Sequence, residues 1–300
     1  MALGWGKSTA GVGLSEPAWV RWSLVGVAIA FVSLVLLLPL VLIFAEAFSA
    51  GWSAYLRAIT HAETQAAMRL SLLAVVVAVP VNTVCGVLAA WCIAKFEFRG
   101  KNVLITLLDL PFAISPVVVG LLFVLLVGVD GLFGPLLRVL DVAILFTPAA
   151  VVLVIVFGTL PFVARELIPL MQAQGTSEEQ AALTLGASGL QTFFLVTLPN
   201  IKWGLLYGVV LAQARALGEF GSVYVVSGRI RGETNTIPLH IEVLYNEYMT
   251  AAAFSVASVL TLFAFATLGA KIFVEWRQRQ ALEQAGASAG KAPTRRTAEV

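Results

Sequence analysis

Long apolar stretches separated by short polar connections dominate the sequence. A helix needs about 20 consecutive apolar residues to cross the hydrocarbon core of a bilayer. Six runs reach that length, at residues 22–46, 69–94, 103–128, 143–163, 200–228 and 248–275. Because a backbone inside lipid must satisfy its own hydrogen bonds, the pattern predicts an all-α integral membrane protein. Six transmembrane helices within residues 22–275 would form its membrane domain.

The composition agrees with this pattern. The chain has 300 residues, of which 59% are hydrophobic and 12% are charged. Its mean hydropathy is +0.93. A soluble domain carries about 25% charged residues, so the composition excludes a protein with a mainly water-facing surface. The first run lacks a small-residue cleavage site and is too long for a signal peptide, so we expect it to remain as a span.

The positions of Lys and Arg predict how the spans are oriented. Most of the 19 basic residues fall in the N-terminal segment, the second and fourth connections and the C-terminal segment, with KFEFRGK at 95–101 as the clearest case. These segments are expected to be cytoplasmic. Residues 1–21 would form a cytoplasmic N-terminus, and the polar residues 276–300 would form a disordered cytoplasmic tail.

The longest cytoplasmic connection, residues 164–199, contains two starts of short helices. An S-x-x-Q pattern at 177–180, repeated at 188–191, is typical of a reciprocal cap at a helix N-terminus. Gly186 lies between them and is suited to end the first helix in a left-handed conformation. The sequence therefore predicts two short helices joined by a glycine turn.

The first of these helices would carry small residues, Ala181 and Ala182, next to Leu185. Small side chains allow the close approach that docking into a groove of another protein requires. An amphipathic helix lying on the membrane surface is the alternative interpretation.

The spacing in this connection resembles the cytoplasmic loop that the membrane subunits of ATP-binding-cassette (ABC) importers share. That loop reads E-A-A, three residues, G, nine residues, I-x-L-P, and the corresponding residues here are Gln180, Ala181, Ala182, Gly186, Val196, Leu198 and Pro199. Gln180 replaces the acidic residue, with Glu179 directly before it, and Val196 replaces isoleucine. The resemblance implies that this loop docks on the ATPase subunit and transmits its closure.

Two further segments resemble one branch of these importers. QARALGEFGSVYVVSGRIRGETNTIPLHIEVLYNEY at 213–248 and TLPNIKWGLLYG at 197–208 are similar to the W-type permease subunits of sulfate/thiosulfate importers. The element ARALGEFG also resembles molybdate permeases, so import of molybdate or tungstate stays open as an alternative. The resemblance covers roughly residues 20–280.

The resemblance implies a permease of the type I ABC-importer architecture in the bacterial inner (plasma) membrane. A related T-type permease chain would complete the pore, and a pair of ABC ATPase subunits would hold ATP and magnesium. A periplasmic sulfate/thiosulfate-binding protein would deliver the anion. This chain would contact membrane lipid and would need no cofactor and no nucleic acid. A membrane scaffold that moves no solute is a further alternative.

The sequence offers no catalytic or metal-binding residues. GWGKST at 4–9 resembles a phosphate loop, but it lacks the earlier glycine and the preceding strand that such a loop needs. No metal-ligand spacing and no pair of nucleophile and base appears in the apolar runs. We therefore expect a transport subunit whose ATP is hydrolysed by its partner.

Charged residues inside the fifth run form the first candidate for the pathway or gate. Arg215 and Glu219 are four residues apart and hence on one helical face. Charged side chains within a membrane usually face the bundle interior or a wet cavity and are paired. Two interpretations stay open: an ion pair that fixes packing or a gate, or an Arg215 that lends positive potential to an anion's route. Gln213 would add hydrogen bonds.

The third run contains the second candidate, in the sequence DLPFAISPVVVGLL. Pro111 and Pro116 free backbone carbonyls and bend a helix, and Ser115 adds a hydroxyl group. Such a broken helix can line a transport pathway, or its prolines can serve helix packing alone. The sequence does not decide between these two roles. Asp109 would repel anions, so it is assigned a structural or cytoplasm-side role.

Overall fold

The computed structural model describes residues 17–290, and all regular elements in that range are helical. The helices are α1 (Ala18–Ala47), α2 (Trp52–Thr60), α3 (Ala62–Lys95), α4 (Lys101–Ala113), α5 (Pro116–Val127), α6 (Gly134–Val139), α7 (Pro148–Gln174), α8 (Ser177–Thr184), α9 (Gly189–Thr192), α10 (Leu198–Leu217), α11 (Gly221–Val226), α12 (Ile237–Asn246) and α13 (Thr250–Gly290). A π-helix, Phe193–Thr197, joins α9 to α10.

Five helical segments of the described residues are long and apolar enough to cross a membrane: Trp19–Ala47, Ala62–Lys95, Pro148–Gln174, Gly189–Leu217 and Thr250–Arg277. The pair α4 and α5 makes a sixth if it is counted as one span bent by 111°. The break falls at Ile114 and Ser115, because Pro116 disfavours the helical conformation in the residue before it. The predicted all-α membrane fold is therefore confirmed.

The fourth span extends beyond its predicted end. Helix α7 continues to Gln174 because Ala164, Leu167 and Met171 extend its buried face at helical spacing. Residues 164–174 of the predicted connection 164–199 therefore continue this helix, and the non-helical part of the connection begins at Gly175.

The predicted fifth span, 200–228, also has different bounds. Its helix ends at Leu217, and the separate helix α11 follows. The side chain of Glu219 accepts hydrogen bonds from the Ser222 amide at 3.5 Å and from its hydroxyl at 2.7 Å. These bonds stabilise a turn that hydropathy cannot register, because the apolar sequence continues through it.

The C-terminal residues also differ from the prediction. Helix α13 continues to Gly290, whereas a disordered tail was expected from residue 276. Residues 276–287 are rich in Ala, Arg, Gln and Glu, which are good helix formers. Residues 291–300 lie outside the described part of the chain, as does most of the predicted N-terminal segment 1–21.

The core is built around α7, which packs against α3 and α10. A β-carbon added to Gly86 in α3 would lie 2.7 Å from Cβ of Val163 in α7. One added to Gly208 in α10 would lie 3.2 Å from the Val163 Cα. Val163 is fully buried. The two glycines therefore allow both neighbouring helices to approach α7 closely at one level.

Candidate functional site

A sharp turn between α8 and α9 forms the centre of the candidate coupling site. Gly186 has φ of +91°, which favours glycine strongly over residues with a side chain. Its amide donates to the carbonyl of Leu183 at 3.0 Å, and the Ala187 amide donates to the carbonyl of Ala182 at 3.0 Å. This paired pattern is the Schellman ending of a helix. The glycine turn predicted from the sequence is confirmed, and we call residues 175–199 the elbow.

Of the two helix N-termini predicted in the elbow, one is confirmed and the other is displaced by one residue. At α9, the amide of Ser188 donates to the Gln191 side chain at 2.8 Å and the Gln191 amide donates to Ser188 Oγ at 3.3 Å, so the capping box is confirmed. At α8 the predicted cap Ser177 is wrong by one residue. Gly175, with φ of +69°, ends α7, and Thr176 therefore precedes α8. Gln180 donates to the Thr176 hydroxyl at 3.0 Å.

The end of the elbow passes directly into α10. Pro199 has no amide hydrogen and cannot donate to the carbonyl four residues earlier. The preceding amide, that of Leu198, instead bonds to the carbonyl of Phe193, which is the spacing of a π-helix. The Leu198 side chain packs against the buried cluster that includes Met171 and Ile201. The helix that begins at Gly189 therefore runs without a break into a spanning segment.

An ion pair attaches the elbow to α3. Lys95, the last residue of that helix, places its ammonium group 2.7 Å from Glu179 Oε1. The two side chains are only 6% and 16% exposed. Lys95 also donates to the carbonyl of Gly175, and Glu179 accepts from the Thr197 hydroxyl at 3.3 Å. Glu179 thus supplies the charge that Gln180 lacks.

A second set of contacts attaches the elbow to α10. The Asn200 side chain donates to the carboxylate of Glu178, and Gln174 Nε2 donates to the carbonyl of Asn200 at 3.2 Å. The elbow therefore touches the ends of α3, α7 and α10 together. Sequence reasoning used Lys95 only to orient the spans, because a tertiary ion pair leaves no local signal.

The outer face of the elbow is apolar and exposed. Its exposed large side chains are Leu183, Leu185, Leu190, Phe194 and Leu195, and Leu185 reaches 89% exposure. Ala181 is exposed beside them and Ala182 is half-buried. The elbow thus exposes apolar side chains, while Lys95 and Asn200 anchor it to the bundle.

The predicted intramembrane pair is formed, although Glu219 lies beyond the end of α10. Arg215 Nη1 lies 2.7 Å from Glu219 Oε2. The Glu219 side chain is only 2% exposed and that of Arg215 is 37% exposed. A buried carboxylate requires such a partner. Gln213 is half-buried on α10, and within residues 17–290 its side chain makes no hydrogen bond to this pair.

The break in the third span lies beside this pair. A β-carbon added to Gly221 would come within 2.9 Å of Pro116 Cβ, so the first residues of α5 and α11 are in close contact. Ser115 is exposed next to this contact. The structure therefore brings Ser115 and Pro116 close to the turn that holds Glu219.

A third ion pair was not expected from the sequence. Arg165 Nε in α7 lies 2.8 Å from Asp109 Oδ1 in α4, with side chains 53% and 40% exposed. The guanidinium group also lies 4.7 Å from the centre of the Phe112 ring. Asp109 therefore has a basic partner, which sequence reasoning missed because the two residues are on different helices.

A histidine is buried at the end of the bundle opposite the elbow. His240 is 1% exposed, and its Nε2 shares a hydrogen bond of 3.0 Å with the Thr64 hydroxyl. Burial lowers the pKa of His240, and the negative charge of Glu63 opposes this effect. Within residues 17–290 no three His, Cys, Asp or Glu side chains are grouped to hold a metal ion.

The helical bundle, its broken span and the anchored elbow define a membrane permease subunit. The family model described as "Binding-protein-dependent transport system inner membrane component" matches residues 82–279. This range includes the whole elbow and the three ion pairs. The chain belongs to this family.

Two curated relatives and one solved structure show which members of this class the chain is similar to. The chain is 48% identical over 259 residues to the sulfate transport system permease protein CysW of Escherichia coli (strain K12), covering 86% of this chain and 89% of that protein. It is 37% identical over 235 residues to the permease protein CysT of the same strain, covering 78% and 85%. A bacterial alginate ABC transporter, crystallised with its alginate pentasaccharide-bound periplasmic protein, has a chain of similar fold. The TM-score is 0.70 at 17% identity, covering 88% of this chain and 95% of that one.

Proposed function

We propose that this chain is the W-type permease subunit of an ABC importer that carries sulfate and thiosulfate into the cytoplasm. The elbow is the observation that carries the proposal. It exposes an apolar face while Lys95 and Glu179 fix its opposite side to the bundle. A subunit driven by another protein needs both features. The substrate assignment is supported by the identity to the relative named as a sulfate permease.

An ABC ATPase subunit would dock on the exposed face of the elbow. The residues assigned to this coupling are Glu179, Gln180, Ala181, Ala182, Gly186, Leu198 and Pro199. The elbow end, where Lys95, Arg99 and Lys101 lie, would be cytoplasmic by the positive-inside rule. Both termini would then be cytoplasmic, and the chain would cross the bacterial inner membrane. ATP and magnesium would bind in the ATPase.

Two further partners complete the proposed assembly. A T-type permease chain would form the other half of the pore, a proposal supported by the similarity of this chain to a CysT protein. A periplasmic sulfate/thiosulfate-binding protein would meet the end opposite the elbow. The alginate transporter of similar fold was crystallised with its periplasmic protein, which supports this arrangement.

The elbow contacts suggest how ATPase closure reaches the pore. Movement of α8 would act on α3 through Lys95 and on α10 through Asn200 at the same time. Both helices pack closely on α7 at Val163. The three helices would therefore rotate together and expose the pore to alternate sides of the membrane.

A sulfate ion must exchange its hydration shell for polar groups along the route. Ser115 and the first turn of α5 would supply a hydroxyl and free backbone amides, as broken helices do in transporters. Arg215 and Glu219 would hold the adjacent turn in place, with Gln213 and Pro116 beside them. These groups bind the ion only transiently, because tight binding would prevent its release.

Uptake of radiolabelled sulfate by the reconstituted complex tests the proposal. We expect uptake to require this chain and ATP, and to be inhibited by excess thiosulfate but not by molybdate. Inhibition by molybdate without inhibition by thiosulfate would overturn the substrate assignment. Uptake that survives deletion of the chain would show that it is a scaffold.

A further inference from the structure

Resting on this proposed function, we infer that Arg165 binds the transported oxyanion at the inner end of its route, where the ion displaces Asp109. Arg165 and Asp109 meet near the elbow end of α7 and α4, with 2.8 Å between Nε and Oδ1. This contact is made by Nε, and the half-exposed guanidinium group also carries two terminal nitrogens. Those nitrogens are the donors that an oxyanion requires.

Arg165 shares one face of α7 with the predicted gate. A β-carbon on Gly158 would lie 3.8 Å from Glu219 Oε2. Phe162 packs on Phe112 with 5.1 Å between ring centres, and Arg165 follows it. Residues 158 and 165 are nearly two turns apart, about 10 Å along the axis. One face of α7 therefore extends from the Arg215–Glu219 ion pair to the Arg165–Asp109 ion pair.

The exposure of their carboxylate partners makes Arg165 a better candidate for an anion ligand than Arg215. The partner of Arg215 is only 2% exposed, so withdrawal of Arg215 would leave a buried, uncompensated carboxylate. The partner of Arg165 is 40% exposed, so this chain does not enclose it when it is displaced. Arg165 itself is 53% exposed. An incoming anion can therefore replace Asp109 at much lower cost than Glu219.

The surroundings of Arg165 also favour release of the ion. The Phe112 ring lies 4.7 Å from the guanidinium carbon, a distance typical of cation–π contact. This contact would hold the guanidinium plane of Arg165 in place while the anion replaces Asp109. Asp109 competes for the same group, so the anion leaves when the carboxylate returns. A site with a competing internal anion meets the need for weak, transient binding.

Protection of a cysteine beside Arg165 tests the inference directly. The background is the complete transporter in vesicles with Cys85 and Cys92, both exposed, replaced by alanine. Asp109→Cys is then labelled with an anionic thiosulfonate, with and without sulfate. We expect sulfate, but not equal chloride, to slow labelling by about threefold or more. Adding Arg165→Gln should abolish this protection, and Arg99→Cys serves as an exposed control that sulfate does not protect.

Equal labelling of Asp109→Cys with and without sulfate would overturn the inference, as would protection that survives Arg165→Gln. Failure of the unsubstituted complex to import sulfate would overturn the proposed function and this inference with it. A second measurement avoids the cysteine. Arg165→Gln should lower sulfate imported per ATP hydrolysed by about fivefold or more, whereas Arg99→Gln should leave that ratio unchanged. An unchanged ratio in Arg165→Gln also contradicts the inference.

Discussion

Lys95 and Glu179 form an ion pair of 2.7 Å between the last residue of α3 and the first turn of α8. Both side chains are largely buried. The pair therefore provides a rigid link between the proposed ATPase contact and a spanning helix, which neither residue indicates from its sequence position.

Loss of this link should uncouple transport from ATP hydrolysis. Lys95→Ala leaves a largely buried carboxylate without its partner, which costs about 3 kcal/mol. We expect sulfate imported per ATP to fall by about tenfold or more, measured in reconstituted vesicles. The reversed pair Lys95→Glu with Glu179→Lys should recover part of this loss.

Lys101 provides a matched control for that experiment. Its ion pair with Glu97 has the same 2.7 Å separation, but the Glu97 side chain is 89% exposed. Exposed pairs contribute about 0–1 kcal/mol. Equal effects of Lys95→Ala and Lys101→Ala would contradict the assignment of Lys95 as a link.

Substitution of Gly186 should impair the elbow through backbone strain alone. A β-carbon at Gly186 would meet no atom within 4 Å, but its φ is +91°. A β-branched residue resists this conformation, at a cost of about 1–3 kcal/mol. Gly186→Val should therefore reduce ATPase-coupled uptake, while the amount of inserted protein in membrane fractions stays the same.

Gly189 is the control for Gly186, because it has equal space and no positive φ. Gly189→Val should retain most of the uptake. Similar losses in both variants would indicate that the added side chain obstructs docking, and the strain argument would fail.

Arg215→Ala should destabilise the protein because it leaves Glu219, only 2% exposed, without its cation. The expected cost is roughly 3–5 kcal/mol, seen as a lower melting temperature of the purified complex. The double variant with Glu219→Gln should regain much of this stability and some transport, since glutamine still accepts a bond from Ser222. If the double variant regains stability but no transport, Arg215 contributes to the anion route itself.

Acidification should weaken the packing of α12. Burial lowers the pKa of His240 in the folded protein below its ordinary value, so the unfolded chain binds more protons between the two values. Stability is therefore full above the unfolded pKa and declines as pH falls through it. Melting temperatures between about pH 7.5 and 5 should fall for the natural protein. They should fall less for His240→Gln, and identical slopes would exclude His240 as the cause.

The sequence was sufficient to predict the long apolar helices and the glycine turn of the elbow. Both depend on local properties, namely a continuous apolar run and a residue that accepts positive φ. The end of α10 was misplaced because the turn at 218–220 depends on a side-chain contact of Glu219 with Ser222. Hydropathy records no such contact.

The partners of charged residues could not be predicted for a different reason. Lys95 and Arg165 each bind a carboxylate on another helix. Those pairings depend on how α3, α4 and α7 are arranged, which one sequence does not specify. Arg215 and Glu219 were predictable as a pair because four residues separate them within one segment.

The glycines on both sides of Val163 also restrict how the bundle can move. With backbones this close, rotation of α3 or α10 about its own axis would turn the adjacent Val87 or Val209 into α7. Independent rotation of either helix is thus sterically hindered. Conformational change is more easily absorbed where the backbone is not helical. Two such joints, residues 114–115 and 218–220, directly precede α5 and α11 where these helices are in contact.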